Sequence, residues 1–208
     1  MGLGSSAAVA VAIIRAICDA SGLSITNVRI NTIAFECEKL AHGTPSGVDN
    51  ALSTFADPML FCNDGGLRIE RLKLAENPPL IVAYGDEAGL TSEQVAGVRA
   101  RRDQSPERYD ALFDEMDRIS LAGMELLRSR SYQELGLAMN VCHGLLNAIE
   151  VSTPGLERMV SLARQAGAAG AKLTGAGGGG SIVALCPDAI ESVQTALEHA
   201  GYRTLIVQ

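Results

Sequence analysis

Three stretches of this chain carry side chains that could handle a phosphate, a hard metal ion and an alcohol. The first is Gly2-Leu3-Gly4-Ser5-Ser6-Ala7, which runs straight into an aliphatic segment. Glycines let a backbone with φ > 0 approach a ligand closely, and a helix start offers unpaired N–H groups at its positive dipole end. That combination makes an anion site suited to a triphosphate, and a hydroxyl there can reach a metal bound to the phosphates. The same residues serve equally well as a plain helix start, with Ser5 or Ser6 capping backbone donors. The lysine of the GxxxxGK[ST] phosphate loop is absent.

The second stretch, Glu36 to Asn50, offers the carboxylates of Glu36, Glu38 and Asp49 and the imidazole of His42. Magnesium takes oxygen ligands, commonly one or two carboxylates beside substrate phosphates, and transfer to an alcohol calls for a further carboxylate at the hydroxyl. Helical phase does not separate Glu36 from Glu38, because both flank an apolar stripe. A solvated glutamate is the usual alternative for either. Asp49 also fits an ordinary cap or turn, and His42 reads as a partner for carbonyls at a helix end.

The third stretch is Lys172-Leu173-Thr174-Gly175-Ala176-Gly177-Gly178-Gly179-Gly180-Ser181. It holds a formal GxGxxG, but Ile182–Leu185 reads as a strand where the dinucleotide fingerprint needs a helix. Glycines between two strands point instead to a backbone that passes close to another loop or to a ligand.

The elements that position these stretches are legible from periodicity and punctuation. Ala7–Ala20 is apolar on every side and reads as a helix buried over most of its surface. Val28–Ala41 is predicted helical with Ile30, Ile33, Ala34, Cys37 and Ala41 on one stripe, after which Gly43, Pro45 and Gly47 break it into a loop. Met59–Cys62 and Leu67–Leu72 read as a hairpin. Asn77-Pro78-Pro79 reads as a linker and Leu80–Tyr84 as a buried strand. Helices are predicted over Pro106–Arg128 and Tyr132–Ile149; Thr153 and Pro154 start another, which Gly167 stops. Strand Ala171–Thr174, a glycine turn, strand Ser181–Leu185, helix Asp188–Ala200 and strand Arg203–Val207 complete an α+β sandwich of the ferredoxin-like kind.

A formal charge of −7 over 208 residues does not suit nucleic acid as a main partner. It leaves ATP open, since backbone donors can bind phosphate inside an acidic protein. The longest apolar run, Ala7–Ile14, ends at Arg15, far short of the ~20 residues of a membrane span. The five cysteines form no CxxC pair, so free thiols and a cytoplasmic location are expected.

The order of the motifs (GLGSSAA, then HGTPSGVDN after a carboxylate helix, then KLTGAGGGG) resembles that of the GHMP kinases, from Met1 to about Leu185. The resemblance implies a GHMP kinase fold. A partial ribosomal-S5-like, ATP-binding domain would span residues 1–77, and a ferredoxin-like α/β sandwich would span 78–208. It implies ATP and Mg2+ as cofactors and a small hydroxy-acid substrate, and it is compatible with a homodimer. Glu38–Asn50, Val95–Arg99 and His143–Thr153 look most like the branch that phosphorylates the 5-hydroxyl of mevalonate. A sister kinase acting on phosphomevalonate or another small alcohol is the alternative. A non-catalytic fragment completed by a partner chain is a further one.

Carried onto this sequence, the resemblance implies that Gly2, Leu3, Gly4, Ser5 and Ser6 hold the ATP phosphates. Ser6 and Glu38 would bind Mg2+, Glu38 being preferred to Glu36 by its spacing from Asp49 within the family. Asp49 would be the catalytic carboxylate facing the acceptor hydroxyl, a weak base that orients the alcohol and takes its proton late. Ser46, Gly47, Thr91, Gly175, Ala176, Gly177 and Gly178 would stand near substrate or phosphate. Three departures mark the chain. Ser92 replaces the Lys common after Thr91, and Ser181 stands where Cys is frequent. The family's amino-terminal lysine motif, with the strands that complete the first sheet, would precede Met1. Met1 is therefore expected to be internal to a longer protein, and residues 1–208 alone to have little activity.

Overall fold

The structure, a computed structural model, describes residues 4–42, 45–63, 67–86 and 89–207. The chain forms two compact units, one within Leu3–Leu74 and one within Ala75–Gln208.

In the first unit, helices α1 (Ser5–Ala20), α2 (Asn27–His42) and α3 (Val48–Phe55) pack pairwise, and the antiparallel hairpin β1 (Met59–Asn63) and β2 (Leu67–Arg71) follows. Its core is small: Val11, Ile30 and Ala34, flanked by Ile14 and Ile25. The expectation that α1 is buried on most sides is corrected. Only Ala7 and Val11 are buried, on the side that α2 and α3 cover, whereas Val9, Ile13 and Ile17 are 58%, 53% and 57% exposed. The α2 stripe is corrected too. Cys37 and Ala41 are exposed, and the buried line runs through Ile30, Ala34 and Glu38 at four-residue spacing. The loop expected after α2 is shorter than predicted, because Val48–Phe55 is helical. Gly47, in the left-handed region at φ 84°, turns the chain into it.

The second unit contains β3 (Leu80–Tyr84), α4 (Thr91–Gln104), α5 (Pro106–Arg128), α6 (Tyr132–Ala148), α7 (Pro154–Gln165), β4 (Gly170–Thr174), β5 (Ser181–Leu185), α8 (Ile190–His199) and β6 (Arg203–Val207). The strands form one antiparallel sheet in the order β4-β5-β3-β6. With α7 and α8 this is a βαββαβ ferredoxin-like sandwich, and α4, α5 and α6 are inserted between β3 and α7. Alternation along β3 turns Ile81 and Ala83 toward the helices, where they meet Leu156, Met159, Val160 and Ala163 of α7 and Val193 and Leu197 of α8. Thr153 caps α7 by accepting from Leu156 N–H, as its position before Pro154 predicted. Helix α4 escapes the periodicity reading because none of its residues is buried. No helix among the described residues is long and apolar enough to cross a membrane.

Strand β4 lies at the sheet edge, and α6 runs along it. Ala171 N–H donates to Asn140 Oδ1 at 3.0 Å, Asn140 Nδ2 donates to Ala169 O at 3.3 Å, and Leu173 N–H donates to His143 Nδ1 at 3.3 Å. Asn140 and His143 are three residues apart and so share a helix face. Their side chains occupy backbone groups that an edge strand would otherwise leave open. The approach is close enough that a methyl on Gly170 would overlap the Gly136 carbonyl.

Candidate functional site

Helix α1 opens on Gly4, its N-cap, left-handed at φ 66° and ψ 26°, and its first turn contains no acidic residue. Ser6 Oγ reaches across to α2 and donates to Glu38 Oε1 at 2.5 Å. Glu38 is 6% exposed, whereas the Glu36 side chain is 61% exposed and pairs with Lys39 at 2.7 Å. The two glutamates that helical phase could not separate thus have opposite surroundings.

Asp49 stands in the first turn of α3, exposed, with its side chain against Gly4. A Cβ added to Gly4 would lie 3.1 Å from Asp49 Cγ and 3.2 Å from Oδ1. Helix α3 is pinned at both ends. The buried Asn50 donates from Nδ2 to Asn31 Oδ1 of α2 at 2.7 Å, and Arg15 Nη2 of α1 donates to Thr54 O at 2.8 Å. Ser46 is exposed and its Oγ accepts from Val48 N–H at 3.3 Å, while the neighbouring Gly47 is the N-cap of α3. Gly4, Ser6, Glu38 and Asp49 are therefore gathered around one helix start, with Ser46 and Gly47 at the next. Gly2 and Leu3 lie outside the described residues, as does the side chain of His42. Asn31 and Arg15 were missed in the sequence, where nothing in their spacing marks them as holders of Asp49's helix.

Thr91, Gly175, Ala176, Gly177 and Gly178 belong to the second unit. Thr91 is exposed and opens α4. The glycine-rich segment turns between β4 and β5 with Gly175, Gly177 and Gly178 at φ of 79°, 84° and 75°. Gly178 N–H donates to Val151 O at 2.8 Å, and a methyl on Gly177 would overlap that same carbonyl. A Cβ on Gly178 would sit 2.6 Å from Gln94 Nε2, so α4 also presses on the loop, a contact the sequence reading did not anticipate.

Chemically, Ser6 and Glu38 bring together a hydroxyl and a carboxylate, the oxygen donors a hard divalent cation takes. Among the described residues no group of three or more His, Cys, Asp or Glu could hold a metal. Magnesium there would draw its other ligands from phosphates and water, which is its habit. The residues present fit that ion in this sense. Asp49 adds a second carboxylate a short step away, across the Gly4 backbone.

Residues 1–57 match the family described as GHMP kinases N terminal domain, and residues 124–203 that described as GHMP kinases C terminal. The chain is similar to the mevalonate kinase of Thermococcus gammatolerans, 39% identical over 216 residues covering 100% of this chain and 62% of that protein. It is also similar to the mevalonate kinase of Methanothermobacter thermautotrophicus, 40% identical over 199 residues covering 95% and 64%. Among solved structures, L. major mevalonate kinase in complex with R-mevalonate matches with a TM-score of 0.90 at 31% identity, covering 99% of this chain and 65% of that one. Methanococcus jannaschii mevalonate kinase matches with a TM-score of 0.83 at 25% identity, covering 98% and 62%. The chain thus spans less than two thirds of the length of these relatives.

Proposed function

This chain belongs to the GHMP kinases, and from that premise we propose that the whole protein transfers the γ-phosphate of ATP to the 5-hydroxyl of mevalonate. One observation carries the reading: the Asp49 side chain packs on Gly4 at the opening of α1, while Ser6, two residues on in the same first turn, touches Glu38. A helix start suited to phosphate, an oxygen pair suited to magnesium and a carboxylate suited to an alcohol then serve one transfer.

In this mechanism the N–H groups of Ser5 and Ser6 donate hydrogen bonds to phosphate oxygens. Ser6 Oγ and Glu38 would hold Mg2+, whose charge would offset that of the triphosphate. Asp49 accepts a hydrogen bond from the substrate hydroxyl and orients its oxygen toward the γ-phosphorus. As the new O–P bond forms and the bond to the bridging oxygen breaks, the hydroxyl proton passes to the Asp49 carboxylate and ADP leaves. Positioning and charge neutralisation supply most of the rate. In the second unit, Gly175 to Gly178 and Thr91 serve substrate or phosphate. The exposed row Val9, Ile13 and Ile17 supports a further part of the reading, that in the whole protein additional strands cover α1. A cytoplasmic location is in keeping with five free thiols.

The test is phosphorylation by the whole protein over a panel holding mevalonate, phosphomevalonate, homoserine and galactose. Turnover of mevalonate above the others is the expected result. Preference for phosphomevalonate would move the protein to the sister activity, and no turnover of mevalonate would defeat the proposal.

A further inference from the structure

We propose that His143 is a positioning residue for the glycine-rich loop, closing a ring of contacts that ties the strand entering the loop to the segment on which the loop's middle rests. The role rests on the reading above, that Gly175 to Gly178 stand beside substrate or phosphate.

The ring can be followed atom by atom. Leu173, two residues before Gly175, donates its N–H to His143 Nδ1 at 3.3 Å. That nitrogen must then be bare, so the neutral ring carries its proton on Nε2. Nε2 lies 3.0 Å from Glu157 Oε1 of α7 but outside hydrogen-bond geometry, so this link of the ring is a close polar contact and not a hydrogen bond. The same carboxylate oxygen accepts from Ser152 Oγ at 2.5 Å and from Asn147 Nδ2 at 2.8 Å. Ser152 adjoins Val151, whose carbonyl receives Gly178 N–H at 2.8 Å. The segment is also held from α4, where Arg101 Nη2 donates to Ile149 O at 2.8 Å. From Gly178 the chain runs back through the loop to Leu173, and the ring is complete.

Closing a strand edge does not by itself call for histidine. Asn140 does that work one turn earlier on α6, with its amide turned to the Ala169 and Ala171 backbone. At position 143 one end of the side chain accepts from Leu173 N–H and the other sets Nε2 3.0 Å from Glu157 Oε1, a close polar contact rather than a hydrogen bond, and an imidazole ring spans the two. His143 is 3% exposed, and burial pushes its pKa below the ordinary value. Glu157 opposes that shift, while the charges of Arg164 and Lys172 reinforce it. The single-proton form that the ring needs is thus the one favoured near neutrality.

Two variants of the whole protein each cut one side of the ring. H143N keeps an acceptor near the Nδ1 position and loses Glu157; H143Q keeps a donor near Nε2 and loses Leu173. Imidazole 15N resonances should show Nδ1 bare and Nε2 protonated in the wild type, and a protonated Nδ1 overturns the ring. Hydrogen exchange of the Gly178 amide should accelerate roughly tenfold in both variants. Amides of β3 and β6 should keep their protection, which separates this effect from general unfolding. In the same proteins kcat for phosphoryl transfer should fall while the KM for the alcohol moves less. The conservative E157Q, which keeps an acceptor, should retain more of the rate than E157A. An unchanged Gly178 amide in H143N overturns the ring. A loosened loop with unchanged turnover instead overturns the assignment of Gly175 to Gly178 to the reacting groups, and with it the positioning role.

Discussion

Gly4 and Asp49 are in a contact that crowds position 4, since an added Cβ would lie 3.1 Å from Asp49 Cγ and the Asp49 side chain would have to give by a few tenths of an ångström. The Gly4 φ of 66° disfavours any other residue independently of that crowding. Replacing Gly4 with alanine should therefore cost about 1–2 kcal/mol through the left-handed backbone alone. It should also displace Asp49 and lower turnover by roughly tenfold or more. Denaturant melts set beside initial rates check both parts; an alanine variant with wild-type turnover would show that the contact does not matter to the reaction.

Glu38→Gln and Glu36→Gln should behave very differently although the residues are two apart. The first removes charge from the buried partner of Ser6 and should cut turnover by roughly 10²-fold while raising the magnesium needed for half-maximal rate. The second touches an exposed pair with Lys39, worth about 0.3–0.5 kcal/mol. Its kinetics should match the wild type. Magnesium titrations of the reaction rate in both variants give the comparison.

Asp49→Asn keeps the shape of the side chain and removes its capacity to take a proton. Turnover should fall by about 10²–10⁴-fold. Nucleotide affinity, measured by calorimetry, should be unchanged. Parallel loss of both would make Asp49 a structural residue of α3.

Acid should destabilise the second unit in two stages. Burial keeps His143 below its ordinary value of 6.5, so the unfolded chain binds that proton first. The stability tied to the neutral ring is complete above that value and declines as pH falls below it. For Glu157, burial alone would raise the pKa, but hydrogen bonds from Ser152 and Asn147, with His143 beside it, bring it below the ordinary 4.5. Its contribution is present above that value and is lost as pH falls further. Urea midpoints from pH 8 to pH 5 should drop for the wild type from about pH 6.5 downward and change less over that interval for H143Q.

Cys186 is fully buried, and burial pushes its thiol up to about 11. At pH 8 it should resist iodoacetamide in the native protein and react once urea unfolds the chain. Peptide mapping of the alkylated protein distinguishes it from Cys37, which is exposed on α2.

Local chemistry was legible where neighbours in sequence decide the outcome. Thr153 and Pro154 announce α7, and the Asn63–Gly66 turn chemistry announces the hairpin of β1 and β2. Alternation of strands and helices after Pro79 announces the ferredoxin-like sheet. The gaps in that reading have physical causes. Helix α3 has eight residues, too few to display a stripe, and α4 buries nothing, so neither leaves a periodic signal. Helix α1 is apolar all round, but in this chain α2 and α3 cover only one side, and periodicity cannot say which sides find a partner.

By itself the sequence determined which residues could do chemistry and in what order they occur: a glycine and serine helix start, a carboxylate helix, a rigid loop with Asp49, and a glycine turn between strands. The family resemblance already favoured Glu38 over Glu36; the tertiary structure alone decided that Glu38 meets Ser6, that Asp49 rests on Gly4, and that His143 stands between Leu173 and Glu157. The reason is distance along the chain. Propensity, capping and turn preferences act over a few residues. A contact across 32 residues, as between Ser6 and Glu38, depends on how whole helices pack, which no spacing within one segment encodes.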